Sequence, residues 1–380
     1  MALRRKKPNP GKYHLMNDPR EPVRFADYPY AFGAPALSGV LRSQPADFYV
    51  EEQLSFAPDG EGPHLMLWVE KTGANTEWVA RQFAKRVNCR PMDVGYCGMK
   101  DRHAVTRQWF SVPAPKEPVD WQALDLEGVQ VLEVHAHRRK LRRGAHVSNR
   151  FVLTIRDVAG EDDLDVRAER VREQGVPNYF GPQRFGRTGD NVVRAMEGAR
   201  GGIFLSAARS FLFNRVLAER VQRGDWNVLL PGEAVQLDGS GSYFIAEKTD
   251  AVLQQRLDEF DIHPSGPLWG KGELPSTLEA AALETSVADA MPELRGILEK
   301  TGMRQERRAL RVALRGLDIR RPDTEAASEA ADKTVAKTVA KTVAKTVVIA
   351  FDLPPGVFAT SVLREMINVT DRGESDAGAD

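Results

Sequence analysis

The chain has 380 residues, with 53 Lys and Arg against 53 Asp and Glu, so its formal charge is zero. That length suits about two domains, and the charge balance leaves only local clusters to argue for a polyanionic partner. No apolar run approaches the ~18–20 residues of a membrane span. No HExxH, Walker A or strand-borne GxGxxG pattern occurs, and Cys89 and Cys97 fit neither a zinc spacing nor a disulfide framework.

Residues 1–35 read as a flexible basic arm. Met1 to Lys12 is basic and Pro-rich without the apolar core of a secretory signal, so a cytoplasmic protein is expected. Asp47–Leu54 and His64–Lys71 then flank the turn residues 58–62 and predict a hairpin with a longer loop. Val79, Phe83 and Val87 recur every four residues, which predicts a helix over Thr76–Val87, capped by Asn75 or Thr76. Strands are expected at Gln108–Val112, Val129–Val134 and Phe151–Val158, and a helix at Glu161–Glu173 with Gly175 as its stop. The region beyond, to about residue 315, is richer in helix: Leu205–Gln222, Val252–Phe260, Leu278–Thr285 and Pro292–Arg311. From Lys333 the tetrapeptide Lys-Thr-Val-Ala repeats three times and ends as Lys-Thr-Val-Val. Regular lysines resist burial, so a solvated loop is expected there. Thr346–Leu353 reads as a strand and Thr360–Val369 as a helix. This order predicts an α+β fold interrupted by a helical insertion.

Three segments carry chemistry. Gly95 to Trp109 holds Lys100, Asp101, Arg102 and His103 without apolar periodicity, as a loop between helix and strand. Flanking positive charge favours an ionised Asp101, able to act as nucleophile or base. A surface salt-bridge loop fits the same spacing equally well. Around residues 135–150, Arg138, Arg139, Lys140, Arg142, Arg143 and Arg150 stand without one acid, a pattern suited to a phosphate backbone. Val176 to Gly186 alternates aromatics, Gly and Arg. It could stack bases, but a packed hinge at a domain junction is the preferred reading.

These segments together resemble the tRNA pseudouridine synthase D (TruD) family. The matching pieces are Pro45–Glu52, Gly98–Trp109, Asn178–Gly186, Leu205–Asn214 and Leu353–Asn368, in order across about residues 36–372. The resemblance implies a pseudouridine-synthase-type catalytic domain, of mixed sheet and flanking helices, over 36–177 and 346–372. It places an inserted TRUD domain at 178–315, leaving the low-complexity loop at 316–345 and an acidic tail at 373–380. It further implies isomerisation of uridine to pseudouridine at position 13 of transfer RNA, without cofactor or metal. Asp101 matches the catalytic aspartate, and Phe48, Asn149 and Phe358 match positions that contact the uridine. Arg42 is a candidate basic partner of Asp101. No membrane or protein partner is implied. An aspartate-dependent RNA hydrolase and a non-catalytic RNA-binding protein or chaperone are the competing readings.

Overall fold

A computed structural model describes residues 18–322 and 346–374. Packing divides the chain into two units: Ala34–Arg172 with Leu314–Ala359 and Leu363–Asp380, and Glu173–Ala313 with Met1–Gly33 and Thr360–Val362. The boundaries expected at 177/178 and 315/316 thus fall at 172/173 and 313/314. The Lys-Thr-Val-Ala repeat and the acidic tail beyond Glu374 lie outside the described residues.

The first unit opens with β1 (Ser38–Leu41), β2 (Phe48–Leu54), β3 (His64–Thr72), α1 (Thr76–Arg86), β4 (Gly95–Tyr96), β5 (Val105–Pro113), β6 (Val129–His137), β7 (His146–Ala159) and α2 (Leu164–Gln174). The expected hairpin of β2 with β3 does not form. β5 lies between them, parallel to β2 and antiparallel to β3. A two-residue turn would have forced adjacency, whereas the loop at 55–63 is long enough to cross an intervening strand, only ~10 Å away.

Ladder partners share a face of the sheet. Phe48, Val50 and Glu52 of β2 therefore lie with Leu153, Phe151 and Asn149 of β7. The registers Val50–Thr106 and Lys71–Thr106 carry this face across β5 to β3. α1 covers part of it: Val79, Ala80 and Phe83 are buried among Leu67, Val69, Phe110 and Trp121. The opposite face carries Tyr49, Glu51, Glu70 and Arg107, with Arg107 Nε 2.8 Å from Glu70.

The second unit holds β8 (Val176–Pro177), α3 (Asn191–Met196), α4 (Gly202–Arg223), β9 (Glu233–Leu237), β10 (Tyr243–Ala246), α5 (Ala251–Asp258), β11 (Ile262–Leu268), α6 (Leu278–Asp289), α7 (Pro292–Lys300), β12 (Glu306–Ala309) and β13 (Arg311–Val312). It is less helical than expected, because β10-β9-β11-β12 form a four-stranded sheet. Pro264, Gly266 and Pro267 hide β11 from any alternation signal. The helix expected over Pro292–Arg311 ends at Lys300: Gly302, at φ 77°, stops it and leaves Glu306–Ala309 to the sheet. Part of the expected N-terminal arm is packed here too. Tyr28 is buried and stacks on Tyr179 at 5.1 Å, and Val23 N donates to Gly189 O. Tyr179, Phe180 and Phe185 are themselves buried, so their rings are core, not a platform for bases. Asn214 of α4 fixes this turn by accepting from Phe180 N and donating to Phe180 O.

The chain then returns to the first unit with β14 (Arg315–Arg320), β15 (Val347–Leu353), α8 (Ala359–Met366) and β16 (Asn368–Asp371). The sheet runs β14-β15-β7-β2-β5-β3-β6, with β4 on β5, and β1 bridging β7 and β16. Parallel and antiparallel pairs coexist, as in a mixed α+β sheet. The helix expected to reach Val369 ends at Met366, and the chain turns into β16, parallel to β1.

Candidate active site

Asp101 lies in the loop at 97–104, between β4 and β5. The loop is tied down by groups from three strands and α1. Thr76, at the first turn of α1, accepts from Lys100 N at 3.1 Å and donates to Gln108 Oε1 at 3.0 Å, while Gln108 Nε2 donates to Gly98 O. Lys71 of β3, 1% exposed, donates from Nζ to the carbonyls of Lys100 (3.3 Å) and Asp101 (3.1 Å). Burial pushes its ammonium down to about 8, against the upward pull of the Asp101 carboxylate. Lys100 turns away from Asp101: its Nζ pairs with buried Glu52 at 2.8 Å, and Glu52 Oε1 also accepts from Trp109 N.

The cation that holds the Asp101 carboxylate comes instead from another strand end. Arg42 Nη2 donates to Oδ2 at 2.9 Å, and His103 N donates to Oδ1 at 3.0 Å. Arg42 follows β1, with its guanidinium 3.9 Å above the Phe48 ring and also paired to Asp371. Its side chain is 5% exposed, whereas that of Asp101 is 23% exposed. Asp101 is thus the accessible end of a buried polar network. Such a network holds its members in one geometry because leaving any of them unpaired in a low-dielectric interior is costly.

The same loop lies inside a family match. The family model for tRNA pseudouridine synthase D (TruD) matches residues 27–194 and 190–366. The chain belongs to the TruD family. A relative from Nitrosococcus oceani named tRNA pseudouridine synthase D is 44% identical over 355 residues, 90% of this chain and 94% of the relative. Another so named, from Xanthomonas euvesicatoria, is 45% identical over 377 residues, 92% of this chain and 97% of the relative. A crystal structure from Methanosarcina mazei, described as a TruD-type synthase, shares the fold at a TM-score of 0.67 and 18% identity, covering 89% of this chain and 95% of that one.

The remaining expected positions fall in three places. Phe48 joins Arg42 directly, edge-on to Phe151 at 6.1 Å. Asn149 is on the same sheet face, between its ladder partners Glu52 and Leu353. Its Oδ1 is buried and accepts no hydrogen bond from the described residues. Phe358, half-buried, is the N-cap of α8, five residues beyond Leu353. Arg150 of the basic cluster lies in β7, 3.4 Å from Asp352, while the rest forms the loop at 138–145 joining β6 to β7, pinned to the Asp101 loop by Gly144 N donating to Cys97 O at 2.8 Å. Three of its cations are engaged: Arg138 with Glu61, Lys140 with Met92 O, and Arg143 over the Tyr96 ring at 3.7 Å. Arg139 and Arg142 are exposed, form no ion pair among the described residues, and line a cleft of about 710 Å³ with Pro91, Met92 and Tyr96.

Lys71, Glu52 and the cluster around Cys97 are functional-site neighbours whose placement no motif marks. Lys71 continues the inward series Leu65, Leu67, Val69, and Glu52 continues Phe48, Val50. A charge in the buried phase of a strand was the available signal. Cys97, Glu52 and His146 place ligand-capable atoms within 4.8 Å of one another, a proximity no spacing in the chain reveals. Here Glu52 is already paired with Lys100, and burial beside the Glu52 carboxylate pushes the Cys97 thiol up to about 12.

Proposed function

We propose that this TruD-family chain isomerises uridine of transfer RNA to pseudouridine, at position 13, with Asp101 as the reacting carboxylate. The reaction breaks the C1′–N1 bond, turns the uracil and joins C1′ to C5. The C5 proton leaves to solvent and N1 gains one, so composition is unchanged and no redox partner is required. An ionised aspartate serves either route, by adding covalently or by removing the C2′ proton.

The observation that carries this reading is the exposure contrast. Arg42, Lys71, Glu52 and Lys100 are buried, yet they hold one loop whose carboxylate is left reachable. Arg42 Nη2 donates to one oxygen of the carboxylate and the His103 main-chain N–H to the other. The target base must leave its stack to reach such a group. Asn149, on the same sheet face as Phe48, is the side-chain amide assigned to the uracil edge. Phe48, buried beneath Arg42, supports that cation, and Phe358 supplies the aromatic wall. Arg139 and Arg142 are the members of the basic loop available to phosphates.

The test is to treat unmodified bulk tRNA with the protein and map pseudouridine by carbodiimide-blocked primer extension. One mass-neutral conversion at position 13 is expected. Release of free uracil or strand cleavage points to a hydrolase, and binding without conversion to an RNA chaperone.

A further inference from the structure

Arg42 is the cation placed to set the direction of Asp101 from the side, and its backbone sits at φ 57°, a left-handed conformation unfavourable for a non-glycine residue. Something must hold it there. β1 and β16 run parallel, with Leu41 and Asp371 as register partners, so the end of β16 arrives beside Arg42. Asp371 Oδ2 lies 2.5 Å from Arg42 Nη1, on the nitrogen that Asp101 does not use. Its other oxygen, Oδ1, accepts from Gly373 N at 3.0 Å, which fixes the carboxylate plane. Gly373 closes the cradle: a Cβ there would stand 2.5 Å from Arg42 Cδ.

We infer that Asp371 is a positioning residue for the reaction, and that it works by dividing the Arg42 guanidinium between two carboxylates. The inference rests on the reading of Asp101 as the reacting group. An arginine facing one carboxylate tends to the bidentate fork, two parallel N–H···O bonds that occupy both oxygens. With Nη1 committed to Asp371, Arg42 presents Nη2 alone to Asp101. One Asp101 oxygen is then paired with charge and the other with the His103 amide. The carboxylate is oriented without being clamped at both oxygens by one guanidinium. Asp371 acts through Arg42, and it lies outside the motif segments that carry the resemblance, the last of which ends at Asn368.

The test uses the full chain and compares Asp371→Asn, Gly373→Ala and Asp101→Asn in single-turnover conversion of tRNA, beside tRNA binding and thermal melting. Asparagine keeps the shape of Asp371 but removes the charge that competes for Arg42. The expected result is a rate constant lowered on the order of 10²-fold, the cost of a misplacement near 1 Å, with tRNA affinity within about threefold because phosphate interactions dominate binding. Gly373→Ala should show the same split through Arg42 Cδ, and it stands in if the Asn variant fails to fold. In an Arg42→Ala background, Asp371→Asn should lower the rate less than about twofold further, as coupled residues do in a double-mutant cycle. A rate within threefold of wild type for both Asp371→Asn and Gly373→Ala, or an equal fractional loss with and without Arg42, overturns the inference. Conversion by Asp101→Asn would instead sink the reading on which it rests.

Discussion

The loop at 97–104 and the loop at 138–145 look alike in sequence: each is a glycine-bearing run of dense charge. In the structure they differ in where the charge is spent. In the first, Lys100 is committed to Glu52, and Lys71 and Arg42 arrive from other strands to fix the loop. In the second, three cations are used locally and Arg139 and Arg142 reach solvent. Charge density marks both loops, but burial separates an anchored site, suited to chemistry, from an adaptable surface, suited to phosphate.

The largest way to break this contrast is to loosen the anchored loop. Lys71→Met strips a donor from two loop carbonyls, at roughly 1–3 kcal/mol for each left unsatisfied. Melting should drop and the conversion rate with it. The pH dependence has a definite sign. Lys71 titrates at about 8 in the folded protein, below its value of about 10.4 in an unfolded chain. Between those values the unfolded state binds more protons, so this group's contribution to stability rises with pH. The variant lacks that rise, and its melting temperature should fall further behind wild type at about pH 9.5 than at about pH 7. A constant gap would mean that Lys71 is not buried as a strained cation.

The next effect is on binding alone. Arg139→Ala with Arg142→Ala should weaken tRNA affinity and reduce the log–log salt slope by roughly one for each phosphate no longer neutralised. Melting should stay unchanged. A retained slope would show that this loop faces away from RNA. Arg138→Ala sharpens the comparison at the small end. Its pair with Glu61 is exposed, worth about 0–1 kcal/mol, and its removal should leave the salt slope nearly where it was.

Much of the frame was legible in the chain. β3, α1, β5, β7 and α4 follow from alternation, fourfold recurrence and glycine stops. The order of strands was not, because β5 enters between β2 and β3 through pairing that no local pattern encodes. β11 was invisible behind Pro264 and Pro267. Of the candidate site, Asp101 and Phe48 were read from motifs that resemble the family and Arg42 was named only as a candidate partner; the three lie together, whereas Lys100, next to Asp101 in sequence, turns to Glu52. The groups that fix the Asp101 loop come from residues about 25 to 270 positions away, at Thr76, Lys71, Arg42 and, through Arg42, Asp371.

The central claim is that the negative charge of Asp101 does the chemistry while the surrounding network only holds it. Asp101→Asn keeps the side chain's size and removes the charge. Tritium release from 5-tritiated uridine in tRNA, followed over a single turnover beside a binding titration, reads both properties at once. No detectable release is predicted, with tRNA affinity within a few fold of wild type, since phosphate interactions supply most of the binding. Release by the Asn variant within about tenfold of wild type, a loss of barely 1.4 kcal/mol in the activation free energy, would contradict the claim and return Asp101 to the role of a salt-bridge partner.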